Sequence, residues 1–149
     1  MTHKIKVLSV NISERKGTIK LPVDYIELDE NGVKNDAHAG PWQRQVSLLA
    51  EESIEKMRNL GLELKPGDFA ENLTVGGMEL FTLPVGTRLN VGEEVVLEIS
   101  QIGKACHKGC AIFQAVGACV MPKEGVFARV IRNGTIRTGD SVEIAGKER

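Results

Sequence analysis

Nowhere in this 149-residue sequence does an apolar run approach the roughly twenty residues that a helix needs to cross a bilayer. No membrane span is expected. An excess of positive charge is also missing: 19 Lys and Arg stand against 20 Asp and Glu, a net charge of -1. That balance argues against a general nucleic-acid or anionic-membrane binder. The amino terminus, MTHKIKVLSVNISE, lacks both the long apolar stretch and the small-residue cleavage site of a secretory signal. Cysteines number three, an odd count that does not make a disulfide framework. Reduced thiols in a cytoplasm are therefore the expectation. Repeats, low-complexity tracts and linkers are absent as well, so residues 1–149 are expected to form one compact domain. A chain of this length buries roughly two thirds of its unfolded surface and needs no staples.

What the sequence does have is one chemically dense stretch, QIGKACHKGCAIFQAVGACVMP, from Gln101 to Pro122. It holds Cys106, Cys110 and Cys119, with His107 beside the first thiol and Lys104 and Lys108 flanking it. A thiol attacks or ligates as its thiolate, and nearby cations favour that form. A lone cysteine is often just a small buried hydrophobe, and Cys119, set in AVGACVM, would read that way by itself. Three thiols with a histidine and two ammonium groups make a stronger chemical statement. If residues 106–110 open a helix, the i, i+4 spacing puts Cys106 and Cys110 on one face. Sulfur could then move between them, or they could oxidise to a disulfide. A Cys₃His zinc site from Cys106, His107, Cys110 and Cys119 competes with this reading. Its C-x₃-C and C-x₈-C spacings and its adjacent Cys-His pair fit zinc poorly, so zinc is not the expected ligand.

Patterning predicts a mainly β protein. Lys4–Ile12 alternates as a half-buried strand, and Thr18–Leu28 reads as another, with Pro22 placing part of it at an edge. Asn31-Gly32 signals a turn, and Val33–Gly40 (VKNDAHAG) is a polar loop of the kind that carries function on a rigid scaffold. Gln45–Leu49 leads into the one clear helix, about 50–60, with Gly61 suited to end it. Beyond it, LEL, ENLTV, MELFTL, RLNVG and VVLEI read as short strands between glycine-rich turns. Val126–Ile131 and Thr135–Arg137 flank Asn133-Gly134, a strong hairpin signal, and Ser141–Ile144 closes the chain. The expected architecture is a β-barrel or sandwich of short strands with one or two helices packed outside.

Four segments together resemble a MOSC domain, the module related to the carboxy-terminal part of molybdenum cofactor sulfurases. They are NDAHAGPWQRQVSLLAEESI, GDFAENLTV, LPVGTRLNVGEEVVLEISQIGKACHKGC and GACVMPKEGVFARVIRNGTIRTGD. The likeness is to the small stand-alone bacterial members, and it implies a β-rich barrel. It also implies a sulfur-carrier role for Cys106, which follows VVLEIS as the family cysteine does. Relatives that keep molybdenum cofactor ligate the metal through a cysteine nearer the final hairpin; Cys119 falls in that interval, with Cys106 the other candidate ligand. The chain has no match to the pyridoxal-phosphate desulfurase domain of the large sulfurases, so it is not expected to bind pyridoxal phosphate. The resemblance thus implies a cysteine desulfurase-type sulfur donor, and a molybdopterin-biosynthesis protein or molybdoenzyme as acceptor.

The same likeness marks His38, in NDAHAG, as a proton donor or orienting group, where a loop histidine alone would read as solvated surface. Arg44 and Arg129 are candidates for holding a phosphate or sulfur-bearing anion, against the plainer reading of surface ion pairs. Glu71-Asn72 reads equally as a pocket element or as a structural turn network.

Overall fold

The computed structural model describes residues 5–15, 19–103 and 120–147. Its main sheet contains β1 (Ile5–Ile12), β2 (Leu21–Val23), β5 (Val46–Ala50), β6 (Leu73–Gly76), β7 (Thr87–Val91), β8 (Val95–Ile102), β9 (Val126–Arg132) and β11 (Ser141–Lys147). The order is β11-β7-β8-β9-β5-β6-β1, and β1 pairs back onto β11 through Ile5 with Val142 and Lys6 with Ser141. Seven strands therefore close into a barrel, and β2 is an extra edge on β1. All neighbours are antiparallel except β5 and β6. A three-stranded sheet of β3 (Tyr25–Asp29), β4 (Gly32–Val33) and β10 (Gly134–Arg137) contributes Ile26, Leu28, Val33 and Ile136 to the barrel core.

Inward positions on each strand are apolar, as a barrel interior requires. Val7, Val10, Leu48, Leu73, Leu89, Leu97, Ile99 and Ala128 form one buried cluster. Outside the barrel lies a second cluster of Leu49, Ile54, Met57, Phe69, Val120 and Phe127, under helix α1 (Glu51–Arg58). That helix has acidic Glu51 and Glu52 in its first turn and Lys56 and Arg58 in its last, matching its dipole. Arg58 ties it together through Glu51, Glu55 and the carbonyl of Leu64. A second short helix, α2 (Met121–Glu124), packs nearby, so the mainly β barrel with helices outside is the observed fold.

Four local expectations are corrected. Residues Thr18–Leu28 are not one strand: β2 joins β1, with Pro22 opposite Asn11 on an edge, while β3 leaves for the small sheet. MELFTL is not a strand either; Leu80–Thr82 is a 3₁₀ turn that drops Leu80, fully buried, into the barrel core. Asn133-Gly134 makes a corner rather than a hairpin. Both edges of β9 are already taken by β8 and β5, so β10 pairs with β3 instead. A Cβ on Gly134 would lie 2.5 Å from Cβ of Glu94, so only glycine fits the corner. The LEL stretch forms no strand, and Leu62 and Leu64 pack on the outer cluster.

A buried polar layer pins the 65–72 loop to the outer side of β1, β5 and β6. The Glu71 carboxylate accepts from the N–H of Gly67 (3.0 Å), the N–H of Phe69 (3.1 Å) and the hydroxyl of Thr74 (2.8 Å). Asn72 binds Ser47 N–H and the carbonyl of Asn11, and Asn11 donates to Glu71 O and Thr74 Oγ1. Here Glu71-Asn72 is the structural turn network. Burial pushes the Glu71 carboxyl above its usual range, although the Gly67 and Phe69 amides and the Thr74 hydroxyl pull it down.

Two predictions test this layer. Gly67 has φ +92° and sits so close to Lys20 that a Cβ would overlap its carbonyl oxygen, whereas Gly61 (φ +100°) has open space around it. Gly61→Ala should cost about 1–2 kcal/mol of left-handed strain, and Gly67→Ala distinctly more, because backbone must also move. Urea unfolding of both variants gives the comparison; equal costs would refute the close approach. The second concerns pH. A buried acid with a raised folded pKa holds its proton longer folded than unfolded, so its contribution to stability falls as pH rises. The wild-type minus Glu71→Gln difference in unfolding free energy should thus be flat below the ordinary glutamate value of 4.5 and decline above it. A difference that rises with pH would mean that the three donors outweigh burial.

Candidate functional site

β5, β6 and β8 end at the same rim of the barrel, where β1, β7 and β9 begin. At this rim the chain passes Gly103, enters the cysteine-bearing stretch, and is described again from Val120. Cys106, Cys110, Cys119, His107, Lys104 and Lys108 lie outside the described residues. Their two flanks do not. The Gly103 amide donates to the Gly125 carbonyl at 2.6 Å, so the outgoing and returning arms are joined at their base. Val120 is buried in the outer cluster, and its carbonyl accepts from the amide of Glu124 at 2.7 Å.

The returning arm is also held by charge. Lys56 of α1 reaches Glu124 at 2.9 Å and Glu79 at 3.0 Å, and it stands over the Phe81 ring at 5.0 Å. The Ser53 hydroxyl donates to the same Glu124 oxygen at 2.7 Å. Met78, Phe81, Leu83 and Ile102 pack half-buried against the barrel core. Helix α1, the 3₁₀ turn and α2 thus meet around the base of the arms. None of these residues carries a local sequence signal for the role; an exposed lysine four residues from a glutamate reads as helix surface.

The loop bearing His38 and Arg44 crosses the flank of the barrel. Gln45 fixes its end, donating to the carbonyls of Glu30 (2.8 Å) and Gly40 (2.9 Å) and accepting from Val130 N–H at 3.0 Å. The Ser100 hydroxyl bonds to the carbonyls of Gln43 and Phe127, tying the loop to β8 three residues before Gly103. Trp42 donates its indole N–H to the His38 carbonyl at 2.8 Å, and the Arg44 guanidinium lies over the Trp42 ring at 4.5 Å. A cation on an indole face is well placed for both rings. Arg129 is exposed on β9 opposite Glu98, which takes its ion pair from Arg88 at 3.1 Å. Among the described residues Arg129 makes no ion pair, so its expected surface pairing is not found there.

Sequence reasoning missed the group that anchors this loop. Lys20 and Asp36 have fully buried side chains and pair at 2.8 Å, with Ser13 Oγ also accepting from Nζ at 3.1 Å. Asp36 further accepts the amides of Ser13 and His38, each at 3.0 Å. Burial would raise its carboxyl, but the Lys20 hydrogen bond and the two amides together hold it below the usual range. No group of three or more His, Cys, Asp or Glu among the described residues is placed to hold a metal ion. No helix among them is long and apolar enough to cross a membrane.

The YuaD protein of Bacillus subtilis superposes with a TM-score of 0.81 at 19% identity, covering 97% of each chain. YiiM of Geobacillus stearothermophilus gives 0.71 at 19% identity, over 95% of this chain and 75% of that one. YiiM of Escherichia coli gives 0.66 at 20% identity, over 99% and 72%. At these identities the likeness speaks for the fold alone. Among curated proteins, none matches the chain in sequence. The MOSC domain model matches residues 35–143, which take in the His38 loop, the whole cysteine-bearing stretch and the strands from β5 to the start of β11, and on that match the chain belongs to the MOSC domain family.

Proposed function

We propose that this MOSC protein is a sulfur carrier in the maturation of molybdenum cofactor or another metal–sulfur centre, with Cys106 as the carrier thiol. One observation supports the reading most. On either side of the stretch holding all three thiols, Gly103 and Gly125 are hydrogen-bonded to each other at the barrel rim where helix α1 and α2 meet. Flanks fixed in this way suit a thiol that must meet a partner protein's sulfur. In the transfer, the Cys106 thiolate attacks the terminal sulfur of a desulfurase persulfide. A new S–S bond forms on Cys106, the donor's S–S bond breaks, and the donor cysteine leaves as thiolate. No external oxidant or reductant is needed. Lys104 and Lys108 flank Cys106 in sequence and favour its thiolate, and His107 and Cys110 stand close to it in sequence as proton and sulfur relays.

Molybdenum cofactor is the cargo or ligand the family membership makes most natural. The donor chemistry fits: a metal already held by a pterin dithiolene needs a single protein thiolate, which Cys119 or Cys106 supplies. Arg44 and exposed Arg129 are suited to the cofactor's phosphate. When bound, the cofactor would supply a molybdenum centre able to accept sulfur. The rival is a non-catalytic cysteine-rich module that holds the cofactor, or zinc on the three thiols and His107, and docks on a molybdopterin-biosynthesis protein.

Persulfide loading by a cysteine desulfurase, read by intact mass, tests the assignment. Cys106→Ser should abolish loading and Cys119→Ser should spare it, while Cys119→Ser lowers retention of any bound cofactor. Cys110→Ser should fall between. Loading of Cys106→Ser at the wild-type rate would sink the reading. The wild-type alkylation rate at Cys106 should also level off below the free-thiol value of about 8.5. A rate still climbing through that pH removes the activated thiolate. Protection of all three cysteines until a chelator is added would select the zinc rival.

A further inference from the structure

Two Asn-Gly pairs occur in the chain, Asn31-Gly32 and Asn133-Gly134, and the fold holds them differently. In this dipeptide the following amide nitrogen reaches the asparagine side-chain carbonyl most readily, because glycine has no Cβ in the way. Both asparagines are exposed, and each glycine opens a strand, Gly32 opposite Asp29 and Gly134 opposite Leu28. The backbones of the asparagines are where the two sites part. The Asn31 amide donates to Asp29 Oδ1 at 2.8 Å, and its carbonyl accepts the Gly40 amide at 2.7 Å. Gly32 is buried, and a Cβ there would lie 2.6 Å from the Gln45 carbonyl oxygen. Gln45 is in turn bonded to the carbonyls of Glu30 and Gly40 and to the Val130 amide. Asn133 stands at the corner between β9 and β10, before a half-buried Gly134. Among the described residues it takes part in no side-chain, turn or loop hydrogen bond.

We propose that Asn133 is a deamidation site of the folded chain, and that its conversion to isoaspartate loosens the small sheet from the barrel core. The Gly134 amide nitrogen attacks the Asn133 side-chain carbonyl carbon. A new C–N bond forms, the bond to the side-chain nitrogen breaks, and ammonia leaves with the proton that the amide gives up. Water then opens the cyclic imide at either carbonyl, giving aspartate or isoaspartate, with no oxidant or reductant involved. Ring closure needs the asparagine backbone to turn, which breaks two hydrogen bonds at Asn31 and none outside the strand ladder at Asn133. Isoaspartate routes the main chain through the side chain and lengthens it by one methylene. The corner has no slack for that, since a Cβ on Gly134 would lie 2.5 Å from Glu94 Cβ. Two residues on, Ile136 is fully buried in the barrel core, in register with Ile26 of β3. A longer link before Gly134 shifts β10 against β3 and draws Ile136 out of that position.

The test stores the full chain at mildly alkaline pH, folded in one sample and unfolded in urea in the other. Isoaspartate is located by peptide mapping and by methyl transfer from S-adenosylmethionine with an isoaspartyl methyltransferase. The ratio of the rate at Asn133 to the rate at Asn31 should be several-fold larger in the folded chain than in urea, where the fold no longer separates the two. An equal or smaller ratio when folded overturns the site, as does isoaspartate at 133 that forms in urea but not in the folded chain. Asn133→Gln, whose longer side chain closes the ring poorly, should lose the signal at 133 and keep its urea midpoint on storage, while stored wild type should fall below its fresh midpoint. Stored wild type that carries isoaspartate at 133 with an unchanged midpoint overturns the loosening of β10. None of these readouts involves a cysteine, so they are decided separately from the sulfur-carrier reading.

Discussion

The pairing of the first described strand with the last is the constraint on which the rest of the molecule depends. Ile5 opposite Val142 and Lys6 opposite Ser141 turn an open seven-strand sheet into a barrel. Closure removes the free edges that an open sheet would expose. It also fixes two rims, and the described flanks of the cysteine-bearing stretch, Gly103 and Gly125, meet at one of them. Among the described residues, β2 and the small sheet keep edges, and β2, β4 and β10 are short, with Pro22 in β2.

Outside the closed wall, buried polar groups do what apolar packing does inside. Loops that carry neither helix nor strand need partners for their amides and carbonyls. The 65–72 loop finds them in Glu71, Asn72, Ser47 and Asn11; the His38 loop finds them in Asp36, Gln45 and Ser100. The Lys20–Asp36 pair links the two through the Lys20 backbone. Replacing a buried pair by apolar groups is often tolerated, while removing one partner costs about 3–5 kcal/mol. A pair so placed is better understood as fixing where a loop goes than as a source of net stability.

At the thiol end the same logic applies with exposed groups. Lys56 joins helix α1, the 3₁₀ turn and α2, but its ammonium is near water and half-exposed, so its pairs with Glu79 and Glu124 orient more than they stabilise. The buried contributions there come from Val120 and Phe127 against Ile54 and Met57.

Alternation along β1, β8 and β9, the amphipathic pattern of α1, and glycine-rich turns made the mainly β class legible in the sequence, because each depends on neighbours a few residues away. So did the concentration of chemistry between Gln101 and Pro122. The sequence could not show that Asn133-Gly134 turns a corner, since that follows from β9 having both edges occupied by strands far along the chain. Nor could it show that Leu80 fills the barrel from a 3₁₀ turn. Lys20 is the clearest case. In GTIKLPV it sits between Ile19 and Leu21, and alternation would send the lysine to water and its neighbours inward. The fold does the opposite: Ile19 and Leu21 are 55% and 63% exposed and Lys20 is 1% exposed. Its partner Asp36 is sixteen residues away, and only the close approach of two loops across a closed barrel brings that carboxylate to the ammonium and, through it, to His38.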